Sequence, residues 1–267
     1  MTRRTIAGTR TIVTGASSGI GRALALELAR QAARLLVTAR REARLRQLVE
    51  EIRDLGGEAH YVAGDVTDPE HRRRTVAAAQ AQFGGLDLLV NNAGVGAVGP
   101  FAQADEVRLR RVMEVNFFGP VELIRRALPL LQTGRNPMIV NVGSVLGHRG
   151  VPDKSEYCAS KFALHGFSDA LRCELVASGI EVLLISPSTT QTEFFDSVLE
   201  QPGEEPAPGL GAMSPERVAR QTVRAIRRGR QELILSLGGR CLVWFDRICP
   251  PLANRLVARF AGKGGRT

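Results

Sequence analysis

Two stretches of the 267-residue chain hold residues whose types and spacing could do chemistry. In Tyr157-Cys158-Ala159-Ser160-Lys161 a phenol and an amine stand four residues apart at the head of a segment with helical periodicity, so the two side chains lie one above the other on one face. A cation beside a phenol favours the phenolate and draws a group that ordinarily ionises near pH 10 toward working pH. Such a tyrosine can donate a proton to a carbonyl oxygen or take one from a hydroxyl. Lys161 is one of only three lysines among 36 basic residues, in a chain that otherwise uses arginine.

The second stretch is Thr14-Gly15-Ala16-Ser17-Ser18-Gly19-Ile20-Gly21, placed between an apolar run and a helical segment. Glycines there let backbone approach a pyrophosphate, whose charge meets the free N–H groups and dipole of the helix start. The spacing is G-x-x-x-G-x-G, distinct from the common G-x-G-x-x-G fingerprint, so the turn needs corroboration. About 20 residues on, where an acid would bind the ribose 2′-hydroxyl of NAD, the chain reads Ala39-Arg40-Arg41. With no acid present, Arg40, with Arg41 beside it, offers guanidinium donors to a 2′-phosphate, and NADP(H) is favoured over NAD(H).

The elements that must position these groups follow from hydrophobic period. Short runs rich in Val, Ile and Leu predict strands near 10–14, 34–38, 59–63, 86–90, 137–142, 180–186 and 231–236. Helical periodicity fills 20–32, 42–55, 70–82, 105–131, 156–178 and 215–228. Asp68-Pro69 and Ser214-Pro215 read as capped starts, and Gly56-Gly57 and Gly179 as left-handed exits. Strict alternation predicts an α/β fold: a doubly wound, mostly parallel sheet of about seven strands in one Rossmann-type domain over 1–239, followed by an amphipathic tail, 240–267, packed on it. The proline- and glycine-rich stretch 187–213 breaks the rhythm and reads as a lid.

With Asn91-Asn92-Ala93-Gly94 after the fourth strand, Ser144 after the fifth, and Tyr157 and Lys161 in the next helix, the chain resembles the short-chain dehydrogenase/reductases over roughly residues 8–236. The motifs keep family order and spacing, with thirteen residues from Ser144 to Tyr157 and four more to Lys161. The resemblance implies a hydride-transfer enzyme interconverting a ketone or aldehyde with its alcohol. Ser144, Tyr157 and Lys161 would be the catalytic group, Ser144 stabilising charge on the substrate oxygen and Lys161 also holding the nicotinamide ribose. Asn116, in a helix interior where asparagine is a poor former, would hold a water that extends a proton relay from the lysine. The cofactor would lie against Gly15, Ser17, Ser18, Gly19, Ile20, Gly21 and Arg40, with Asp65 and Val66 at adenine. Asn92, Ala93 and Gly94 would support it, and Pro187, Thr190 and Thr192 would meet it from the lid. One departure stands out: Ser186-Pro187-Ser188 replaces the family's usual Pro-Gly, which is expected to narrow the backbone freedom of the lid's root.

Composition trims the alternatives. At 44% hydrophobic and 24% charged residues the chain is an ordinary globular one. The net charge of +9 comes from arginines interleaved with acids, the mark of solvated helix faces, and no nucleic-acid partner is expected. Cys158, Cys173, Cys241 and Cys249 have no ligand-like spacing, so neither a metal site nor a disulfide framework is expected. No apolar leader follows Met1, and the cytoplasm is the expected compartment. His148, four after Ser144, reads as an exposed loop residue, and His60, His71 and His165 as residues without evident partners. Segment 240–260 is too polar and proline-broken to span a bilayer; a pocket wall or subunit contact is favoured over membrane contact. By resemblance a homo-dimer or homo-tetramer is expected, through helices 105–131 and 156–178. Two further readings stand beside the leading one: a catalytically silent dinucleotide-sensing or scaffold protein of the same fold, and a membrane-surface reductase of lipid-like carbonyls.

Overall fold

The computed structural model describes residues 4–190 and 212–261. Seven strands form one parallel sheet: β1 (Arg10–Thr14), β2 (Arg34–Ala39), β3 (Glu58–Ala63), β4 (Leu88–Asn91), β5 (Met138–Val142), β6 (Glu181–Ser186) and β7 (Glu232–Ile234), in spatial order β3-β2-β1-β4-β5-β6-β7. Each lies within a few residues of its predicted run. Side chains along a strand alternate between faces: Val13 joins one apolar layer and Ile12 the other, as do Val90 and Leu89, and Val140 and Ile139. The central strands are therefore buried on both sides, which is why they read as unbroken apolar runs.

Helices α1 (Gly19–Ala29), α2 (Glu42–Asp54) and α7 (Pro215–Arg227) cover the first face. The second is covered by α3 (Pro69–Phe83), α5 (Gly119–Gln132) and α6 (Ser155–Glu174). Asp68 and Ser214 cap α3 and α7, accepting hydrogen bonds from the backbone N–H of Glu70 and Arg217. Gly179, at φ 64°, makes the left-handed exit after α6 and a short 3-10 turn, Val176–Ser178.

The long helix expected over 105–131 is divided. α4 (Glu106–Met113) passes through a π turn, Glu114–Phe118, into α5. Residues 240–260 form two helices, α8 (Leu237–Ile248) and α9 (Pro250–Ala261), separated at Cys249-Pro250. Buried Val243 and Ala253, and Arg149 reaching Asp246 (2.7 Å) and Asn254 (2.6 Å), fasten them to the sheet domain.

The chain leaves β1 toward β2 and β3, then returns to build β4 through β7 on β1's other side. Loops leaving β1 and β4 therefore part in opposite directions at the carboxyl edge of the sheet, and ligands bind in the crevice such a reversal creates.

Candidate active site

A cleft of about 670 Å³ runs along that edge, from Arg40 and Asp65 at one end, past the glycine-rich turn, to Ser144, Tyr157 and Lys161.

At the β1 end the turn is built to hold backbone close to something. Gly15 is left-handed (φ 65°), and a Cβ there would come within 2.8 Å of both Ala93 Cα and Asn92 Nδ2. A Cβ on Gly21 would strike Asn92 Nδ2 and the Gly15 carbonyl. Asn92 staples the turn: its side-chain amide donates to the carbonyls of Thr14 (3.0 Å) and Gly15 (3.1 Å). The Thr14 hydroxyl accepts from the N–H groups of Asn92 (2.9 Å) and Ala93 (3.0 Å). Ser18 precedes α1 without a side-chain capping bond, which leaves the helix's first N–H groups to a ligand. Gly19 and Ile20 line the cleft beside it. Such a cradle fits a pyrophosphate.

Arg40 is exposed at the mouth after β2. Arg41 folds back over the turn and donates to Ser17 Oγ (3.1 Å) and Ser18 Oγ (2.6 Å). After β3, Asp65 accepts from the Thr67 N–H (2.9 Å) and hydroxyl (2.8 Å) and from Arg111 (2.9 Å). Burial works against its charge, but the Thr67 bonds and Arg111 hold its carboxyl below the usual range. Val66 lines the cleft, its carbonyl held by Arg72 at 2.7 Å. Arg72 sits in what reads as a solvated run, Arg72-Arg73-Arg74, yet is 7% exposed; a run of like residues carries no sign of which one turns inward.

At the other end Ser144 leaves β5 and caps a 3-10 turn, Val145–Gly147, accepting from the Leu146 N–H at 3.1 Å. Its hydroxyl also acts on the Tyr157 phenol, favouring its ionised form. The Tyr157 ring packs on Val95, Ala97, Val112 and Val115, and burial pushes the phenol up to about 12, with Ser144 pulling it partly back. Lys161 is buried, donates to the Val142 carbonyl (2.9 Å), and has its Nζ 5.7 Å from the Tyr157 ring centroid. Burial pushes its amine down to about 8. Loss of water around each group is the dominant influence on both, and at the phenol it outweighs the pull of Ser144.

Asn116 lies in the π turn with its side-chain amide in three hydrogen bonds. Its Oδ1 accepts from Val95 N–H (2.8 Å), and its Nδ2 donates to the Val95 carbonyl (2.9 Å) and Ser160 Oγ (3.0 Å). A Cβ on Gly94 would lie 3.2 Å from Asn116 Oδ1 and 3.7 Å from Lys161 Nζ, so a larger residue there would press on the Asn116 amide. The side chain therefore clamps the β4 loop to α6, and with both Nδ2 hydrogens used a water held by Asn116 could only donate to it. Next to Tyr157, Glu156 takes two bonds from Arg108 (2.8 and 3.0 Å), a buried pair that ties α4 to α6.

Pro187 and Thr190 reach the cleft from the β6 side, the Pro187 carbonyl accepting from Val145 N–H at 3.0 Å. Ser188 keeps a negative φ, so the serine at the expected glycine position brings no left-handed strain. Thr192 and most of the lid, 191–211, lie outside the described residues.

His148 corrects its reading as an exposed residue. Its side chain is 1% exposed, its Nε2 is 2.8 Å from Ser186 Oγ, and burial, with His165 nearby, pushes it down to about 4. His165 lies against it with the rings tilted and their centroids 4.3 Å apart, and bonds to the Gly147 carbonyl; His71 meets Thr38 Oγ1 at 2.8 Å. Among the described residues His148, His165 and Glu232 form a group with ligand-capable atoms within 4.8 Å of one another.

Residues 9–203 match the family model for short chain dehydrogenase. The chain belongs to the short-chain dehydrogenase/reductase family. It is 33% identical over 256 residues to an 11-beta-hydroxysteroid dehydrogenase A of Sesamum indicum, covering 92% of this chain and 73% of that one. A short-chain dehydrogenase/reductase from Burkholderia phymatum, solved with NAD, superposes with a TM-score of 0.85 at 27% identity, covering 93% of this chain and 96% of the other. An alcohol dehydrogenase from Thermococcus sibiricus, complexed with 5-hydroxy-NADP, gives 0.75 at 26% identity over 84% and 94%. Membership makes the protein an oxidoreductase of the short-chain family, and these neighbours support a nicotinamide dinucleotide in its cleft.

Proposed function

We propose that this short-chain dehydrogenase/reductase is NADP(H)-dependent and interconverts a small-molecule ketone or aldehyde with the corresponding alcohol, Tyr157 acting as general acid/base. The observation that carries this reading is the meeting of Ser144, Tyr157 and the buried Lys161 amine, its Nζ 5.7 Å from the Tyr157 ring centroid, at the far end of the cleft from the glycine-rich turn. When bound, the dinucleotide supplies or accepts the hydride.

This chain's own residues do the rest. With its phenol at about 12, Tyr157 is protonated at neutral pH, the state a proton donor needs when a carbonyl is reduced. Ser144 presents its hydroxyl to the same oxygen and stabilises the charge that grows on it. Lys161, held by Val142, keeps a donor and partial positive charge behind the phenol. Val95, Ala97, Leu146 and Val151 line the cleft near Tyr157 and exclude water from that oxygen. The hydroxysteroid named for the sesame relative is a substrate with the apolar body that such a lining would receive.

Preference for NADP(H) rests on Arg40 and Arg41 and on the lack of an acid at the end of β2. Exposed Phe118, at the end of the π turn that leads into α5, and Phe162 on α6 favour self-association through these elements. The reading is tested by following NADPH absorbance with a carbonyl panel: turnover with NADPH exceeding that with NADH supports it, and NADPH binding without turnover on any carbonyl refutes it in favour of a silent dinucleotide-sensing protein.

A further inference from the structure

The two sides of α8 have different surroundings. Gly239 and Val243 turn inward and are buried, and Gly239 abuts Val145 and Ile234. On the opposite side Leu237 (78% exposed), Cys241, Trp244 (58%) and Ile248 (79%) follow one another at steps of four, three and four, which stacks them into one narrow stripe. Leu252 and Leu256, four apart, are exposed on α9. Arg240 and Arg247 flank the α8 stripe, the Arg247 guanidinium lying 5.7 Å from the Trp244 ring centroid, and Arg255 and Arg259 accompany the α9 leucines. The acid in this segment, Asp246, is already paired with Arg149.

We infer that this face of α8, continued by α9, docks on an anionic lipid bilayer with the helices parallel to its surface. Each helix has 12 residues, about 18 Å of length at 1.5 Å per residue, too short for a hydrocarbon core of about 30 Å. No helix among the described residues is long and apolar enough to cross a membrane. An apolar stripe bordered by arginines, with an aromatic among them, is instead suited to the boundary between headgroups and acyl chains. Charge selects the occupant: a second copy packed symmetrically on the same face would bring these arginines against their like, whereas phosphate headgroups complement them, as they do the chain's net +9.

The same helix contributes Gly238, Gly239 and Leu242 to the cleft. Docking therefore brings the helix that walls the cleft to the lipid surface, which shortens the path of an apolar carbonyl compound from the lipid to the cleft. The docking stands independently of the carbonyl-reducing reading; only this route of entry rests on it.

Trp244 is the chain's single tryptophan, so its fluorescence reports on this face alone. The full-length protein is mixed with vesicles of phosphatidylcholine containing about one-third phosphatidylglycerol, and with pure phosphatidylcholine, and followed by emission and co-sedimentation. A blue shift and pelleting with the anionic vesicles, weakening as salt rises, is expected. Ile248→Glu should weaken partitioning about tenfold and Leu237→Glu with it further. Val176→Glu, on an exposed apolar residue before β6, should leave it unchanged. NADPH binding, measured in parallel, reports whether each variant is folded and is separate from the lipid result. The inference is overturned if Trp244 emission and sedimentation ignore anionic vesicles, if Val176→Glu weakens binding as much as Ile248→Glu, or if the blue shift tracks protein concentration without vesicles.

Discussion

At Tyr157 removal from water pushes the phenol to about 12 while the Ser144 hydroxyl draws it back, so the two residues act as a pair. Ser144→Ala should lower kcat for carbonyl reduction by about 10²–10³, the cost of losing one donor to a developing oxyanion, while NADPH affinity is kept. At the other end of the cleft, Arg40→Ala should raise KM for NADPH by about tenfold or more and leave KM for NADH nearly unchanged, because the lost charge-assisted bonds serve only a 2′-phosphate. Equal effects on both cofactors would refute that role. His148 gives a stability prediction. Its folded pKa of about 4 lies below the unfolded value of 6.5, so the unfolded chain binds the extra proton between them and stability falls as pH drops through that window. The loss reaches about 3 kcal/mol near pH 4 and is absent above pH 6.5. Thermal unfolding across pH should show His148→Gln with a flatter acid limb; an unchanged limb would contradict the burial argument.

Strands and crossovers were legible because period-two burial on both faces writes long apolar runs, and Asp68-Pro69 and Ser214-Pro215 mark helix starts by their chemistry. The π turn at Glu114–Phe118 was not, since its register change leaves no compositional mark; Asn116 in a helix interior was the one hint, and the Val95 amide pair explains it. The Arg108–Glu156 pair was hidden for a related reason, as both residues sit in stretches that read as solvated. Its position next to Tyr157 in the chain argues that α4 orients the start of α6. Breaking it with Glu156→Gln leaves Arg108 buried and undercompensated and should cost about 3–5 kcal/mol in urea unfolding. A loss below about 1 kcal/mol would show the pair to be effectively solvated. Asn92→Ala should loosen the glycine-rich turn, weakening dinucleotide binding with a smaller change in global stability.

Across the whole molecule the cofactor-cleft elements converge at one sheet edge because the strand order reverses between β1 and β4, and that reversal follows from chain order once alternation is recognised. The Ser144, Tyr157 and Lys161 spacing was therefore readable in advance. What the spacing did not convey was desolvation, a property of the assembled site: it pushes the Tyr157 phenol up to about 12 and the His148 imidazole down to about 4. The tail likewise read as ambiguous until its buried and exposed faces were distinguished on α8. The central claim is that the Tyr157 phenol passes the proton at the carbonyl oxygen, and Tyr157→Phe removes that oxygen while sparing the ring's packing. With an accepted carbonyl substrate and NADPH, the variant should bind NADPH as the native protein does and lose turnover by a factor of about 10²–10⁴; full turnover in the variant would contradict the account.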